Sequence, residues 1–392
     1  MKAKGWLLIL AAMIYPWNGV NAQSVGAVSP EIRVGGIFDI SGPTSDMGRD
    51  YAQGAMDAAE YINDHGGVDG LPIRLIAGDY AYQIPQAVNL YQRYKNVDKV
   101  LIIQGWGPGD THTLRPLINR DRMVYMSASY EGDLADPKKN PYNFFIGSNY
   151  SDHIRMAMRY AGENGGRRVC FIYPDHPYGQ NPIPAGKDFA RKMGLRIGPD
   201  IIVGLGATDA VSQLLQMKAF RPDFAWIGGT TASTAVILKE AMKLNLDTRF
   251  LINTWGLDEN LPKLAGQAAE GRAFGFIVVR PFGCDAPETA RIKTVTADKA
   301  YSLQYHKSWV SMMVMWEAMK RAKKEGQLNA PGLKDALETF RDFETGGLTP
   351  PLTYTADDHR ATTTCGLYTI KGGQLTLVTD VSLERKAEYL GW

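Results

Sequence analysis

The sequence is poor in the features that mark nucleic-acid-binding, metal-binding and membrane-spanning proteins. Its 392 residues carry a formal net charge of +2 without a long run of lysine or arginine, so a nucleic-acid partner is not expected. The six histidines are scattered and lack the spacing of metal ligands, so no metal is expected. No stretch of about 18 uninterrupted apolar residues follows residue 22, so we expect a mature chain that does not span a membrane.

Catalytic signatures are equally scarce. No G-x-S-x-G elbow, P-loop or H-E-x-x-H motif occurs in the chain. The segment Gly204-Leu205-Gly206-Ala207 begins like a dinucleotide-binding loop but lacks the third glycine of the G-x-G-x-x-G pattern. We therefore expect neither an enzyme nor a bound cofactor.

Cysteine occurs at three positions. Cys170 lies in an apolar strand and is expected to be a small buried hydrophobic residue. Cys284 and Cys365 could form a disulfide in an oxidising compartment, or they could remain unpaired thiols. The sequence leaves both possibilities open because it does not set the distance between the two residues.

The N-terminus has the order of parts found in a secretion signal. Lys2 and Lys4 precede an apolar run from Trp6 to Tyr15, which is shorter than the ~20 residues that cross a bilayer. Val20-Asn21-Ala22 places small residues where a signal peptidase cuts. We predict a cleavable signal peptide over residues 1–22 and a periplasmic mature protein.

An alternation of strands and helices occurs twice, once before Phe144 and once after Arg168. This alternation is typical of parallel sheets, and the length exceeds the ~250–300 residues at which a single core stops growing. The predicted fold is α/β, with two doubly wound parallel-sheet lobes joined by hinge strands. The predicted strands cover 32–38, 71–77, 100–103, 123–126, 169–173, 197–203, 224–227, 250–253 and 274–279, and the predicted helices cover 51–63, 84–94, 111–121, 183–193, 210–220, 231–244, 308–320 and 332–340.

The C-terminal part of the sequence indicates that the chain crosses from one lobe to the other more than once. Leu367 to Ile370 and Leu375 to Val378 flank Gly372-Gly373 and predict a hairpin. We predict that the first lobe comprises residues 30–147 and 281–345. The second lobe then comprises residues 148–280 and 346–392.

Four stretches of the chain resemble type I periplasmic solute-binding proteins of the branched-chain amino acid receptor group, and the resemblance covers essentially the whole mature chain. The stretches are Ile40-Ser41-Gly42-Pro43 with Gly48 and Gly66-Gly67-Val68-Asp69-Gly70; Gly105-Trp106-Gly107 with Tyr125-Met126-Ser127-Ala128-Ser129; Pro177-Tyr178-Gly179; and Asp223 with Gly228-Gly229 and Ala269-Glu270-Gly271. The resemblance implies an ABC importer component that captures a small ligand, is monomeric and docks on a membrane permease. A periplasmic sensor subunit for a receptor kinase is the alternative.

Ligands of open α/β sheets bind outside the carboxyl ends of the strands, which here precede loops 39–48, 104–110, 127–131, 174–180, 228–233 and 253–258. Gly107 and Gly109, with Gly105, allow backbone N–H groups to approach an anion, or they only form a tight turn before a helix that opens at Thr111 or His112. Trp106 lies between these glycines. Ser127 and Ser129 could bind a ligand carboxylate and ammonium, or cap the next turn.

The resemblance assigns further ligand contacts. In the family, the positions that match Ser129 and Glu131 contact the amino acid head group, and the position that matches Tyr178 packs on the ligand. Pro108-Gly109 replaces the family's serine on the earlier loop, which weakens an amino acid assignment or moves carboxylate binding to backbone amides.

Other pocket positions differ from the family's pattern. Thr230 stands where the leucine-type receptors carry a tyrosine, and Met47, beside Asp46, stands where a tryptophan often lines the pocket. Thr254 stands near the family's acidic residue, and Trp255 could cap an apolar or aromatic ligand. The expected ligand is therefore an amino acid, an amide or an aromatic carboxylate.

Overall fold

The structure is a computed structural model that describes residues 30–391. The predicted signal peptide, residues 1–22, lies outside the described residues. Residues 31–391 fall within one compact unit that contains two β-sheets.

The first sheet is parallel throughout and has the strand order β2-β1-β3-β4-β5. Strand β1 (Ile32–Phe38), which pairs on both sides, forms from a run in which every residue except Arg33 is buried, as a strand covered on both faces requires. The order grows outward in both directions from β1, which confirms the doubly wound prediction for this half. The strands are β1 (Ile32–Phe38), β2 (Ile73–Asp79), β3 (Ile102–Gln104), β4 (Val124–Met126) and β5 (Asn143–Phe144).

The second sheet has the order β12-β11-β10-β9-β8-β6-β7. Its pairings are parallel except those of β11 with β10 and of β11 with β12, which are antiparallel. Strands β11 and β12 form the predicted hairpin. Gly372 and Gly373 make its turn with φ of 57° and 71°, in the left-handed region that favours glycine. The strands are β6 (Arg168–Tyr173), β7 (Arg196–Ile202), β8 (Phe224–Ile227), β9 (Arg249–Ile252), β10 (Ala273–Ile277), β11 (Thr364–Lys371) and β12 (Gln374–Ser382).

Helices connect and cover the strands of both sheets. The longest of them packs on the first helix at Gly54, where a Cβ would lie 2.4 Å from the carbonyl oxygen of Tyr305. The helices are α1 (Ser45–Asp64), α2 (Ile84–Arg93), α3 (Pro108–Asp121), α4 (Tyr150–Glu163), α5 (Pro177–Gln180), α6 (Ile183–Lys192), α7 (Val211–Phe220), α8 (Thr231–Lys243), α9 (Leu261–Ala265), α10 (Pro287–Thr296), α11 (Leu303–Lys324) and α12 (Ala330–Leu337).

The starts of α1 and α11 were predicted at least five residues too late. Helix α1 begins at Ser45 rather than Tyr51, and its first turn holds Gly48, a poor helix former. Tertiary packing overrides propensity here, because a Cβ at position 48 would lie 1.7 Å from the carbonyl oxygen of Asp39. Helix α11 begins at Leu303 rather than Ser308. The prediction was late because the polar side chains of the first turns are buried, so these turns do not show the usual pattern of exposed polar and buried apolar residues.

The chain passes between the two sheets three times, through residues 145–149, 278–286 and 338–363. These connections are irregular segments, so the structure does not show extended hinge strands of the predicted kind. The segment 338–363 contains only isolated bridges, such as the one between Phe343 and Leu352. The three crossing segments therefore consist mainly of turns and irregular chain rather than paired strands.

Within residues 30–391, Cys170, Cys284 and Cys365 are all free. The Cys365 thiol is fully buried and lies 3.5 Å from the Met156 sulfur. The structure therefore favours unpaired thiols over a disulfide. No helix in the described part of the chain is long and apolar enough to cross a bilayer.

Candidate functional site

A cavity lies where the carboxyl ends of the parallel strands of both sheets face each other. The space outside the protein atoms at this point is about 320 Å³, a figure that includes open solvent at the mouth of the cavity. This is the edge at which open α/β sheets bind ligands. The residues that line it are Thr44, Met47, Tyr82, Trp106, Gly107, Pro108, Ala128, Tyr150, Tyr178, Leu205, Thr230 and Trp255.

The loop after β1 is held by a buried aspartate. Asp39 accepts hydrogen bonds from the Gly42 N–H (2.6 Å), the Thr44 N–H (2.8 Å) and the Thr44 hydroxyl (2.6 Å). The same Thr44 hydroxyl accepts a hydrogen bond from the Trp106 indole N–H at 2.9 Å. Asp39 thus fixes the loop, and the loop fixes the orientation of Trp106 in the cavity wall.

Trp106 and Trp255 bring the two sheets together at the centre of the site. Their ring centroids lie 5.5 Å apart at 59°. The Trp255 indole N–H donates to the Tyr150 hydroxyl at 2.8 Å, and Tyr130 stacks on the Trp255 ring at 5.7 Å. Because both indole N–H groups are bonded within the protein, the two tryptophans offer ring surface rather than donors to a ligand.

The wall from the second sheet is built by Tyr178 and the start of α8. The Tyr178 hydroxyl donates to the Gly229 carbonyl at 2.9 Å, and its ring meets Tyr150 edge to face at 5.4 Å. Thr230 is the N-cap of α8 and forms a reciprocal capping box with Ser233. Tyr178 and Thr230 are therefore held in place by hydrogen bonds within the protein, without a contribution from a ligand.

A buried lysine stands behind Trp255. Lys307 of α11 is fully buried, donates to the Thr254 carbonyl at 2.8 Å and places Nζ 3.6 Å from the Trp255 ring centroid. Burial lowers the pKa of Lys307 well below its usual value, against the opposing attraction of Asp258 and Glu259. Sequence reasoning missed this residue, whose signal is a single lysine in the otherwise uncharged segment 303–316 at the start of α11.

Carboxylates surround the cavity but none of its lining residues is charged. Glu131 accepts from the His112 Nε2 at 2.6 Å and from the Asn181 amide, and its hydrogen bond raises the pKa of His112. Asp46 is exposed as a whole residue, but its carboxyl is partly desolvated, and this desolvation and then the charge of Asp258 raise its pKa to about 6.

The structure brings together half of the predicted site residues in the cavity wall. Those that line the cavity are Met47, Trp106, Gly107, Tyr178, Thr230 and Trp255, and those that do not are Asp46, Gly109, Ser127, Ser129, Glu131 and Thr254. Ser127 donates to the Ser129 carbonyl at 2.9 Å and so closes a local turn. Thr254 lies behind the wall, where its carbonyl receives Lys307.

The helix after β3 begins earlier than predicted. Gly107 is its N-cap and Pro108 its first residue, so Gly109 lies inside α3 and Thr111 does not open it. Proline is favoured at the first helical position because its fixed φ suits a helix and its missing N–H is not needed there. Gly109 faces the Ile84 and His176 side chains rather than the cavity.

Sequence reasoning also missed Thr44, Tyr82, Pro108, Ala128, Tyr150 and Leu205 as lining residues. Tyr150 opens α4, a helix that the sequence pattern did not reveal, and Tyr82 follows β2. The available signal was position, because both tyrosines come soon after strands of the first sheet.

Asp110 near the cavity should make stability depend on pH. Burial raises its pKa to about 7; Oδ1 accepts from the Tyr80 hydroxyl at 2.8 Å, and Oδ2 has no partner among the described residues. The folded state therefore keeps a proton that the unfolded state releases near pH ~4. Relative to Asp110→Asn, the wild type should lose stability from pH ~4 to ~7, by at most about 1.4 kcal/mol per pH unit.

Denaturant unfolding of both proteins across this range measures the effect. Asp64→Asn, which removes an exposed carboxyl at the end of α1, is the control and should change stability by about 0.5 kcal/mol or less at each pH. Parallel curves for wild type and Asp110→Asn would contradict a buried carboxyl at this position.

Within residues 30–391, no cluster of three or more histidine, cysteine, aspartate or glutamate side chains is arranged to hold a metal ion. The chemistry of the site is therefore that of aromatic rings, hydroxyl groups and backbone amides. Such a wall binds and orients a small molecule.

Comparison with known proteins agrees with this architecture. The profile of the family described as periplasmic binding protein matches residues 31–374. The Leu/Ile/Val-binding protein of Escherichia coli is 22% identical over 288 residues, which cover 73% of this chain and 75% of that protein.

Solved structures extend the likeness to nearly the whole chain. The ABC transporter substrate-binding protein of Aeropyrum pernix is 30% identical with a TM-score of 0.84, over 92% of this chain and 98% of that one. A branched-chain amino acid ABC transporter protein of Thermus thermophilus with bound valine is 22% identical with a TM-score of 0.86, over 91% and 97%. The chain belongs to the periplasmic binding protein family.

Proposed function

We propose that this protein captures a small solute outside the cytosol by closing two lobes around the aromatic cavity, and delivers it to an ABC permease. One observation carries the proposal: the cavity is lined by residues from the carboxyl ends of strands in both sheets. The candidate ligands are an amino acid, an amide or an aromatic carboxylate. The protein acts as a monomer in the periplasm.

The two lobes follow the sheets. Residues 30–147 with 281–345 form the first lobe, and residues 148–280 with 346–392 form the second. The packing of α11 on α1 supports this division, because it attaches a late segment of the chain to the first sheet. The three crossing segments then form the hinge.

Contacts across the cleft describe a closed form. Asn181 of the second lobe donates to Glu131 of the first, and the rings of Tyr82 and His176 lie 5.5 Å apart. A ligand shifts the equilibrium towards this form only through contacts that the open form lacks. The tryptophan pair supplies such contacts, because one ring comes from each side of the cavity.

A thermal-shift screen of the mature protein against amino acids, amides and aromatic acids tests the proposal. A ligand present at 100 times its Kd should stabilise the protein by roughly 2.7 kcal/mol. Failure of every compound in these classes to raise Tm, with no binding by calorimetry, would overturn it.

Asn181→Ala should weaken ligand binding although Asn181 does not line the cavity. The substitution removes a hydrogen bond to the Glu131 carboxylate that exists only when the lobes meet, so the closed form loses stability relative to the open form. We expect about a 10-fold rise in Kd, which is about 1.4 kcal/mol. Calorimetric titration measures it.

Asn164→Ala is the control for this variant. Asn164 caps the end of α4 on the surface, donates to the Tyr160 carbonyl at 2.8 Å and makes no contact across the cleft. Its Kd should equal that of the wild type. Equal affinities for Asn181→Ala and the wild type would show that the Glu131 contact does not contribute to closure.

A further inference from the structure

The N-terminal end of α11 contacts the loop that carries Trp255. This loop, residues 253–259, follows β9 of the second sheet, whereas α11 packs on α1 of the first half. Three donors of α11 each bond to a different residue of the loop. They are the Leu303 N–H to the Glu259 carboxylate (2.8 Å), the Gln304 amide to the Asp258 carboxylate (3.2 Å) and the Lys307 Nζ to the Thr254 carbonyl (2.8 Å). The first turns of α11 therefore hold a loop that contributes to the cavity wall.

Lys307 is the donor among these three that also contacts the tryptophan. Its Nζ lies 3.6 Å from the centroid of the Trp255 ring, and its hydrogen bond goes to the carbonyl of the residue just before Trp255. One side chain thus contacts both the backbone and the ring at this position. Lys307 is fully buried and does not line the cavity, so we expect its effect on a ligand to pass through Trp255.

The hydrogen bond of Lys307 does not depend on its charge. Burial lowers the pKa of Lys307 well below its usual value, and the charges of Asp258 and Glu259 oppose this shift. A neutral amine still donates an N–H to the Thr254 carbonyl, so the contact persists in both protonation states. A buried amine is costly unless it is hydrogen-bonded, and a methionine would fill similar space without that cost. The contacts to Thr254 and Trp255 are what the lysine provides and an apolar side chain lacks.

The other contacts of Trp255 hold the indole by its edge and by packing. Its N–H donates to the Tyr150 hydroxyl at 2.8 Å, and the rings of Trp106 and Tyr130 pack against it at 5.5 Å and 5.7 Å. A hydrogen bond at one edge allows the ring to tilt about that edge, and Lys307 Nζ occupies space into which it would tilt. Removal of Lys307 opens that space and takes the hydrogen bond from the Thr254 carbonyl.

We propose that Lys307 is a positioning residue for ligand capture: from α11 it holds the Thr254 carbonyl and the Trp255 ring, and so sets the orientation of Trp255 opposite Trp106. The inference rests on the proposed function for its consequence in binding, since Trp255 lines the proposed ligand cavity. The orientation itself can be measured without a ligand. Failure of the inference is therefore distinguishable from failure of the proposed function.

Fluorine NMR of protein labelled with 5-fluorotryptophan tests the orientation. Six of the eight tryptophans follow residue 22, so a protein that begins at residue 23 gives six resonances, and Trp255→Phe identifies the one that belongs to residue 255. In Lys307→Met, this resonance should split, broaden or move further than the direct loss of a nearby amine explains, because the ring adopts other orientations. Lys307→Gln keeps an N–H donor and should restore part of the wild-type spectrum.

Two variants of α11 are the controls. Lys320→Met removes an amine whose Nζ lies 4.4 Å from the Trp316 ring, and the shift of the Trp316 resonance gives the size of the direct effect. Met319→Ala truncates a buried side chain about 18 Å along the helix from Lys307, and it should lower stability without changing the Trp255 resonance. A single sharp Trp255 resonance in folded Lys307→Met, shifted no more than the Trp316 resonance in Lys320→Met, would overturn the inference. Circular dichroism confirms the fold.

Calorimetric titration with leucine, benzamide and benzoate measures the consequence for binding. Lys307→Met should raise the Kd of each compound that binds the wild type by ~10-fold or more. In a Trp255→Ala background the same substitution should raise Kd no further, because Lys307 acts through the ring. An unchanged Kd, or an equal rise in both backgrounds, would contradict a positioning role in capture. If none of the three compounds binds the wild type, the fluorine spectra decide the inference, and the missing affinity counts against the proposed function.

Discussion

Trp255→Ala is expected to raise the Kd for the ligand by ~30-fold or more, because truncating a central buried aromatic anchor typically costs at least ~2 kcal/mol of binding. Trp255 is 4% exposed and forms the wall between Trp106, Tyr130 and the Tyr150 hydroxyl. The variant should also lose about 3–5 kcal/mol of stability, the usual cost of truncating a buried tryptophan. Titration calorimetry and denaturant unfolding measure the two effects.

Trp316→Ala is the matched control. Trp316 is partly buried on α11, donates to the Gly67 carbonyl and lies away from the cavity. It should lower stability without changing Kd. Equal affinity of Trp255→Ala and wild type for a ligand would show that the ligand does not bind in the aromatic cavity.

Arg360→Met is expected to destabilise the protein by about 3–5 kcal/mol, because it removes one partner from a buried network of ions. Arg360 is 1% exposed, and its Nη2 and Nε lie 2.7 Å and 3.0 Å from the two carboxylate oxygens of Asp358. Asp152 is fully buried at 3.8 Å from Nη1, and burial already raises its pKa to about 6. Loss of the guanidinium leaves this carboxylate with only Arg155 at 3.2 Å.

Arg385→Met provides the comparison, since Arg385 contacts the same Asp358 at 3.0 Å but is 33% exposed. Exposed ion pairs contribute ~0–1 kcal/mol, so this variant should unfold at nearly the wild-type denaturant concentration. Similar unfolding midpoints for the two arginine variants would contradict the assignment of the network to the buried core.

Much of the fold could be predicted because its signals are local. Apolar runs such as Phe224 to Ile227 and the Gly372-Gly373 turn determine strands and a hairpin from neighbouring residues alone. Helix α4 escaped prediction, and so did the short strand β5 before it. Five of the first six residues of α4 have polar or charged side chains or a hydroxyl, yet all six are buried, so the usual alternation of exposed and buried faces is absent.

The residues of the candidate site were likewise predicted only where the signal was local. The rule that ligands bind at the carboxyl ends of strands led to Trp106, Tyr178 and Trp255, which do line the cavity. Lys307 comes from a helix far along the chain, and only tertiary packing places it behind Trp255. Glu131 illustrates the opposite case, because a residue that could meet a ligand instead bonds to His112 and Asn181.

Small-angle X-ray scattering with and without the ligand found by titration tests the central claim most directly. Closure of two lobes around the cavity predicts a smaller radius of gyration at saturating ligand, and a smaller decrease for Trp255→Ala at a concentration that just saturates the wild type. Identical scattering profiles for free and ligand-saturated wild-type protein, with binding confirmed by calorimetry, would contradict it.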